Sequence, residues 1–163
     1  MTSIDSYLRN NTEYSARFSH RDLPAEPAGR VAILACMDSR LDTSALLGIA
    51  EGDAHVIRNA GGVVTEDVIR SLVISQRLKG TREVMLIHHT DCGMLALAES
   101  ELKDAIEEET GARPAFALEA FTDVEDSVRR SIARLQSSPF LPHTDAIRGF
   151  VYEVDTGRLR EVD

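Results

Sequence analysis

Four short segments rich in apolar residues, separated by helical patterns, constrain the fold of this chain more than any other feature. They span residues 31–36, 54–58, 83–88 and 147–154. Helical periodicity predicts helices over 42–48, from Thr65 to Gly80, from about Cys92 or Gly93 to Glu109, and over 119–136. Because strands that alternate with helices form βαβ units, we expect an α/β fold whose mostly parallel central β-sheet is flanked by helices on both faces.

The N-terminal part of the chain is expected to stand apart from this sheet. Residues 3–19 follow a helical pattern with several large apolar residues near one face, and the proline-containing segment 23–29 interrupts regular structure. We therefore predict a single domain over residues 1–163, with a helical arm at 1–22, a linker at 23–29 and an α/β core at 30–163. The arm needs an apolar surface on its own domain or on a partner.

Charge and hydropathy exclude two classes of partner. The net charge is −9, whereas a nucleic-acid-binding protein must neutralise phosphates with Lys and Arg, so we expect no nucleic-acid partner. The longest apolar run, residues 31–37, is far too short to cross a bilayer. Because the first residues lack the basic start and apolar stretch of a secretion signal, we expect a cytoplasmic protein.

Chemically reactive side chains follow two of the predicted strands. Cys36, Asp38 and Arg40 come at the end of the first strand, and His89 and Cys92 follow the third. Ligands of open parallel sheets bind beyond the carboxyl ends of the strands, where both clusters fall. We also expect Cys92 to lie near a helix N-terminus, which favours the thiolate form that binds metal.

Two thiolates and one imidazole are ligands that zinc accepts in a tetrahedral site. Three protein ligands leave a fourth position for water, whose pKa zinc lowers to about 7, giving a hydroxide nucleophile at neutral pH. Each residue alone also fits a purely structural role. Cys36 fits a buried core thiol, His89 a hydrogen-bonded strand-end histidine, and Asp38 with Arg40 a surface ion pair worth at most about 1 kcal/mol. Their joint placement favours a metal site.

The same residues carry a resemblance to a known family. The sequences at 36–40 (CMDSR), 58–61 (RNAG) and 89–93 (HTDCG) resemble those of the β-class carbonic anhydrases, most closely the short prokaryotic branch. The resemblance covers nearly the whole chain, and it implies one zinc ion on Cys36, His89 and Cys92. It further implies that Asp38 accepts a hydrogen bond from the zinc-bound water and that Arg40 holds Asp38. The implied activity is the reversible hydration of carbon dioxide to bicarbonate and a proton.

The resemblance also implies a homodimer or higher homo-oligomer, with the N-terminal helix lying across the neighbouring subunit. In this family the residue matching Asp38 can instead bind the zinc and silence the enzyme. Some positions depart from the family pattern: Ala50 stands where many members have a substrate-facing Gln, and Ile33 stands near the Trp of a bicarbonate-inhibited branch. His88 replaces a commoner Gly, and we expect it to point away from the metal because neighbours on a strand face oppositely.

Three other functions are compatible with the same residues. The same site could act on carbonyl sulfide or carbon disulfide, because the metal motif does not separate these linear substrates from carbon dioxide. A non-catalytic zinc protein would fill all four zinc positions with protein ligands. A thiol redox protein would join Cys36 to Cys92, although it would leave Asp38 and Arg40 unexplained and the chain has no Cys-x-x-Cys motif.

Overall fold

The central sheet has five strands in the order β2-β1-β3-β4-β5, described by a computed structural model that covers residues 2–163. Four strands are parallel, and the last is antiparallel to its neighbour. Their bounds are β1 Val31–Cys36, β2 Ala54–Asn59, β3 Glu83–His89, β4 Ile147–Glu153 and β5 Arg158–Val162. This topology confirms the predicted α/β fold. Met1, the first residue of the predicted arm, lies outside the described residues.

Residues 2–163 also contain five α-helices and one 3-10 turn; the first helix precedes the sheet, and the others connect its strands. They are α1 Ser3–Ala16, α2 Thr43–Leu47, the 3-10 turn Ala60–Gly62, α3 Glu66–Lys79, α4 Glu99–Thr110 and α5 Val124–Gln136. Local chemistry sets several ends. The Thr65 side chain accepts a hydrogen bond from the Val68 amide at the start of α3, and Gly80 ends that helix in the left-handed conformation.

Both faces of the sheet are covered, as the apolar strands require. Because successive side chains of a strand point to opposite faces, Leu34 and Leu86 pack with α3 and α5, whereas Ile33 and Ile87 face the other way. On that second face α2 and the chain that follows β3 cover the sheet. The carboxyl ends of β1 and β3 therefore lie side by side near the buried centre of the molecule.

Three predicted helix boundaries were wrong, and one strand was not predicted. Helix α4 begins at Glu99 rather than at Cys92 or Gly93, and α5 begins at Val124 rather than at residue 119. Helix α1 ends at Ala16, three residues before the predicted end, and strand β5 was not predicted. Cys92 therefore does not lie at a helix N-terminus, contrary to the prediction, and no helix end favours its thiolate.

Helix α1 presents its apolar side chains to solvent. It contains no buried residue, and Ile4, Tyr7 and Leu8 are 68%, 68% and 63% exposed. Its capping box, formed between Thr2 and Asp5, stabilises the first turn without contact to the sheet. Among residues 2–163 there is no helix whose length and hydropathy would allow it to cross a membrane.

Candidate metal centre

The strand order brings together the two sulfurs and the imidazole that the sequence places far apart. Strands β1 and β3 are neighbours with Ala35 opposite Ile87, so Cys36 and His89 leave adjacent strand ends. Cys92 reaches the same place from the turn after β3. The ligand atoms of Cys36, His89 and Cys92 all lie within 4.8 Å of one another, and the three residues are 4%, 0% and 5% exposed.

The ring of His89 is held with one nitrogen aimed at the sulfurs. Its Nδ1 lies 2.8 Å from the carbonyl oxygen of Thr90, to which it donates in the tautomer that leaves Nε2 unprotonated. Thr90 is itself fixed, because its amide donates to Tyr152 and its hydroxyl accepts from the Val154 amide. The buried Nε2 has no hydrogen-bond partner within residues 2–163, and a metal ion would satisfy this lone pair.

The two thiols share one proton in the metal-free protein. A hydrogen bond from Cys92 is the largest influence, and with His89 and the backbone of Asp38 and Gly61 it lowers the pKa of Cys36 to about 4 despite burial. The same contact to Cys36, together with burial, raises the pKa of Cys92. A divalent cation reverses this effect on Cys92 because it favours both thiolates.

Asp38 and Arg40 form a bidentate ion pair beside the sulfurs. Arg40 Nε and Nη2 donate to the two Asp38 carboxylate oxygens over 3.0 and 2.8 Å, and the Arg40 amide adds a third hydrogen bond of 2.9 Å. These contacts to Arg40 hold the pKa of Asp38 well below its usual range. Asp38 Oδ2 lies 3.7 Å from His89 Nε2, so an ionised carboxylate stands at the edge of the cluster.

Arg40 also joins the two loops that carry the cluster. Its Nη1 donates to the Asp91 carboxylate over 2.8 Å, and its Nη2 donates to the Asp91 carbonyl oxygen over 3.0 Å. Asp91 adopts a left-handed backbone conformation with φ 54° in the turn between His89 and Cys92. One guanidinium therefore ties the chain after β1 to the chain after β3.

The 3-10 turn Ala60–Gly62 passes directly behind the cluster, and a glycine is required there. Gly62 has φ +67°, and a Cβ at this position would lie 2.8 Å from the Cys36 amide nitrogen and 2.9 Å from the Ile87 carbonyl oxygen. Only a residue without a side chain allows this close approach to two strands.

The donor set fits a zinc ion. Two sulfurs and one imidazole nitrogen are soft and borderline ligands that select zinc over calcium or magnesium, and three ligands leave a fourth tetrahedral position. A cavity of about 140 Å³ opens on the cluster, lined by residues that include Met37, Gly61 and Met94. Larger depressions, up to about 460 Å³, lie elsewhere, so cavity size alone would not locate this site.

Comparison with known proteins identifies the family. The carbonic anhydrase family model matches residues 31–159. The chain is 54% identical to β-carbonic anhydrase 1 of Mycobacterium tuberculosis over 162 residues, which cover 99% of each chain. The chain belongs to the β-carbonic anhydrase family. It is similar to the crystal structure of carbonic anhydrase from Streptococcus mutans, with a TM-score of 0.93, 45% identity, and 100% of this chain and 99% of that chain covered. Carbon disulfide hydrolase from Acidithiobacillus thiooxidans is 32% identical over 97% of this chain and 90% of its own length.

Membership of the β-carbonic anhydrase family confirms the resemblance stated from the sequence, and zinc is the metal that this family uses. The structure brings the five predicted site residues of this β-carbonic anhydrase together in one cluster. His88 lies outside the cluster: it is fully buried, its ring packs on Phe121 with centroids 5.8 Å apart, and burial lowers its pKa to about 4. A histidine without solvent access is unsuited to proton shuttling.

Two residues of this β-carbonic anhydrase site were not foreseen as parts of it. Asp91 bonds Arg40, and the Arg58 guanidinium bonds the backbone of the Cys36–Asp38 segment. The only sequence signal for them was their place in two motifs, Asp91 in HTDCG and Arg58 in RNAG. The sequence did not indicate which residues they would contact.

Proposed function

We propose that this chain catalyses the reversible hydration of carbon dioxide to bicarbonate and a proton, with one zinc ion held by Cys36, His89 and Cys92. The observation that carries the proposal is the buried cluster of two sulfurs and an orphaned imidazole nitrogen within 4.8 Å, with Asp38 beside it. The 54% identical relative named β-carbonic anhydrase 1 supports the choice of reaction.

Zinc, when bound, supplies a nucleophilic hydroxide at neutral pH by lowering the pKa of a coordinated water. The protein contributes orientation. Asp38 is kept ionised by Arg40, so it accepts a hydrogen bond but does not donate one. A carboxylate in this state turns a lone pair of the nucleophilic oxygen towards the substrate carbon. We therefore propose Asp38 as the orienting catalytic residue and Arg40 as the residue that positions Asp38.

Carbon dioxide and water supply every atom of the bicarbonate and the proton. A new carbon–oxygen bond forms, one π bond of carbon dioxide breaks to give the bicarbonate anion, and the proton passes to solvent buffer. The cavity of about 140 Å³ has room for a triatomic molecule and a few waters, given about 30 Å³ per water in the liquid. Its partly apolar lining, with Met37 and Met94, suits a neutral linear substrate better than a charged one.

The test is zinc analysis of the purified protein combined with stopped-flow carbon dioxide hydration. We expect one zinc ion per chain and turnover that rises with pH as the nucleophile forms. Alanine at Cys36, His89 or Cys92 should remove zinc and activity together. A zinc-loaded protein that leaves carbon dioxide unhydrated at every pH would refute the proposed reaction.

Carbon disulfide or carbonyl sulfide is a second candidate substrate, since carbon disulfide hydrolases are about a third identical to this chain. Release of hydrogen sulfide from either compound, compared with carbon dioxide hydration by the same sample, separates the two functions.

A non-catalytic zinc site would need a fourth protein ligand. The Asp38 carboxylate beside the cluster has both oxygens bonded to Arg40, which supports an open position.

We also propose a cytoplasmic homodimer in which the arm of one subunit, residues 1–22, lies on the α/β core of the other beyond the linker at 23–29. The exposed apolar face of α1 supports this arrangement, as does an apolar depression on the core between α3 and Phe140 that includes Ile69 and Val73. Light scattering should give twice the chain mass for the unmodified protein. Tyr7→Glu combined with Leu8→Glu should give monomers, and a dimer that survives both changes would contradict the arm contact.

A further inference from the structure

Arg58 donates all its observed hydrogen bonds to the backbone that carries Cys36 and Asp38. Arg58 Nε and Nη2 lie 2.9 and 2.7 Å from the Cys36 carbonyl oxygen, and Nη2 also lies 2.7 Å from the Asp38 carbonyl oxygen. Strand β2 places the side chain there, because Arg58 pairs with Ala35 immediately before Cys36. Within residues 2–163 no carboxylate forms an ion pair with Arg58. Its charge is therefore directed at two carbonyl dipoles.

These two carbonyls belong to a segment that has left the sheet. The ladder between β1 and β2 ends with Cys36 opposite Asn59, and the Met37 amide makes one more bond, to the Asn59 carbonyl oxygen, over 2.8 Å. Beyond Met37, the Arg58 hydrogen bond to the Asp38 carbonyl is the contact that continues the attachment to β2. Met37 is 64% exposed, so its own side chain does little to hold the chain between the buried Cys36 and Leu41.

The direction of these peptide groups determines where the functional atoms point. The Asp38 backbone contacts the Cys36 thiol, and the Asp38 carboxylate meets Arg40. Rotation of either peptide group would therefore move Sγ of Cys36 and the carboxylate of Asp38 relative to His89. Arg40 holds the Asp38 side chain, and Arg58 holds the Asp38 main chain.

We propose that Arg58 is a positioning residue that fixes the Cys36–Asp38 backbone so that thiolate and carboxylate face the metal. The inference rests on the proposed function, because it assigns Arg58 a role towards the proposed zinc site. Arg58 does not line the cavity of about 140 Å³, so it acts through these two residues rather than on substrate. Nη2 alone bonds both carbonyl oxygens, and Nε adds a second bond to the Cys36 oxygen that the single ammonium of a lysine would lose.

The test compares Arg58→Gln with a matched control, Arg77→Gln. Arg77 Nε and Nη2 likewise donate two hydrogen bonds to one backbone carbonyl, that of Phe140, over 3.0 and 2.8 Å, but they do so from the last turn of α3. Both substitutions remove a guanidinium from a carbonyl oxygen, and only the first touches the segment that bears the ligands.

Arg58→Gln should bind zinc about 10- to 100-fold more weakly in chelator competition, the usual effect of losing a group that orients metal ligands. Its kcat for carbon dioxide should fall about as much with little change in KM, and the absorption bands of the cobalt-substituted protein should shift. Arg77→Gln should match the unmodified protein in all three measurements, and Arg58→Lys should fall between.

The inference would be overturned if Arg58→Gln had the same zinc affinity and the same cobalt spectrum as Arg77→Gln. Should Arg58→Gln fail to fold, the same comparison is made with Arg58→Lys, and an unmodified zinc affinity in that variant overturns it equally. Failure of the proposed function gives a different result: the unmodified protein itself would lack zinc or would leave carbon dioxide unhydrated. The affinity comparison does not depend on turnover.

Discussion

Replacement of Gly62 by alanine tests whether the turn behind the cluster holds the ligands in place. Gly62 is buried between the ends of β1 and β3 with φ +67°. The added Cβ would lie 2.8 Å from the Cys36 amide nitrogen, 2.9 Å from the Ile87 carbonyl oxygen and 3.1 Å from the Ala35 carbonyl carbon. These are backbone atoms of two paired strands, so no flexible side chain can move to relieve the contact.

Two costs add at this position. The left-handed conformation costs a residue with a Cβ about 1–2 kcal/mol. The contacts must also widen from 2.8 Å to ordinary distances of at least 3.4 Å, an overpacking that typically costs about 1–3 kcal/mol. We expect Gly62→Ala to lose about 2–5 kcal/mol of unfolding free energy. Gly111→Ala is the matched control: its φ is +73° and nothing lies within 4 Å of the added Cβ, so only the first cost applies.

The assay is urea unfolding followed by circular dichroism at one protein concentration, with zinc content measured on the same folded samples. Gly62→Ala should lower the unfolding free energy by more than Gly111→Ala and should retain less zinc, because relief of the clash moves Cys36 away from β3. Equal losses of stability in the two variants, with full zinc content in both, would refute this account of the turn.

Further predictions concern the charges of the cluster. Asp38→Asn should keep its zinc while kcat falls about 10- to 100-fold, as measured by metal analysis and stopped-flow hydration on one sample; an unchanged kcat would remove Asp38 from the mechanism. The lowered pKa of Cys36 and the raised pKa of Cys92 predict one thiolate per metal-free chain at neutral pH. Its ultraviolet absorbance should disappear as the pH falls through about 4, and Cys36→Ser should abolish that transition. Cys92 stays protonated until metal arrives, and despite burial the contact with Cys36 raises the pKa of His89, so zinc binding at pH 7 should release more than one proton per ion to an indicator dye.

The sheet and the ligand set were predictable because their signals are local. The apolar runs of β1 and β3 are strong strand patterns, and the rule for parallel sheets places their carboxyl ends on one edge. Cys36 and His89 are the last residues of those strands, so their proximity was predictable once the two strands were taken as neighbours. The structure confirms that adjacency, with Ala35 opposite Ile87.

The start of α4 was mispredicted because tertiary contacts override helix propensity. Residues 92–98 contain Met, Leu and Ala, which favour a helix. In the structure, however, the Met94 carbonyl oxygen accepts a hydrogen bond from the Phe121 amide, and Met94 and Leu95 pack on the metal-centre face of the sheet. These contacts join residues far apart in sequence. The helix therefore begins only at Glu99.

Two other errors had local signals that were overlooked. Asp123 caps α5 by accepting from the Asp126 amide, and an Asp followed by acidic residues in the first turn is typical of a helix start. The turn that ends with Gly157 at φ +72° precedes β5, as expected for a hairpin. By contrast, the partners of Arg58 and Asp91 had no local signal, since Arg58 contacts the end of the neighbouring strand and Asp91 contacts Arg40 in another loop.

The charges of the cluster explain why its parts form one unit. Ionised Cys36, Cys92 and Asp38 would place three negative charges within a few ångströms, an arrangement that burial makes unfavourable. Arg40 neutralises Asp38 from the solvent side, which leaves the two thiols with one proton between them. A divalent cation held by Cys36, His89 and Cys92 would replace that proton and neutralise both sulfurs. Because both oxygens of Asp38 are bonded to Arg40, its negative charge is matched within the protein and adds little to the charge of the two sulfurs.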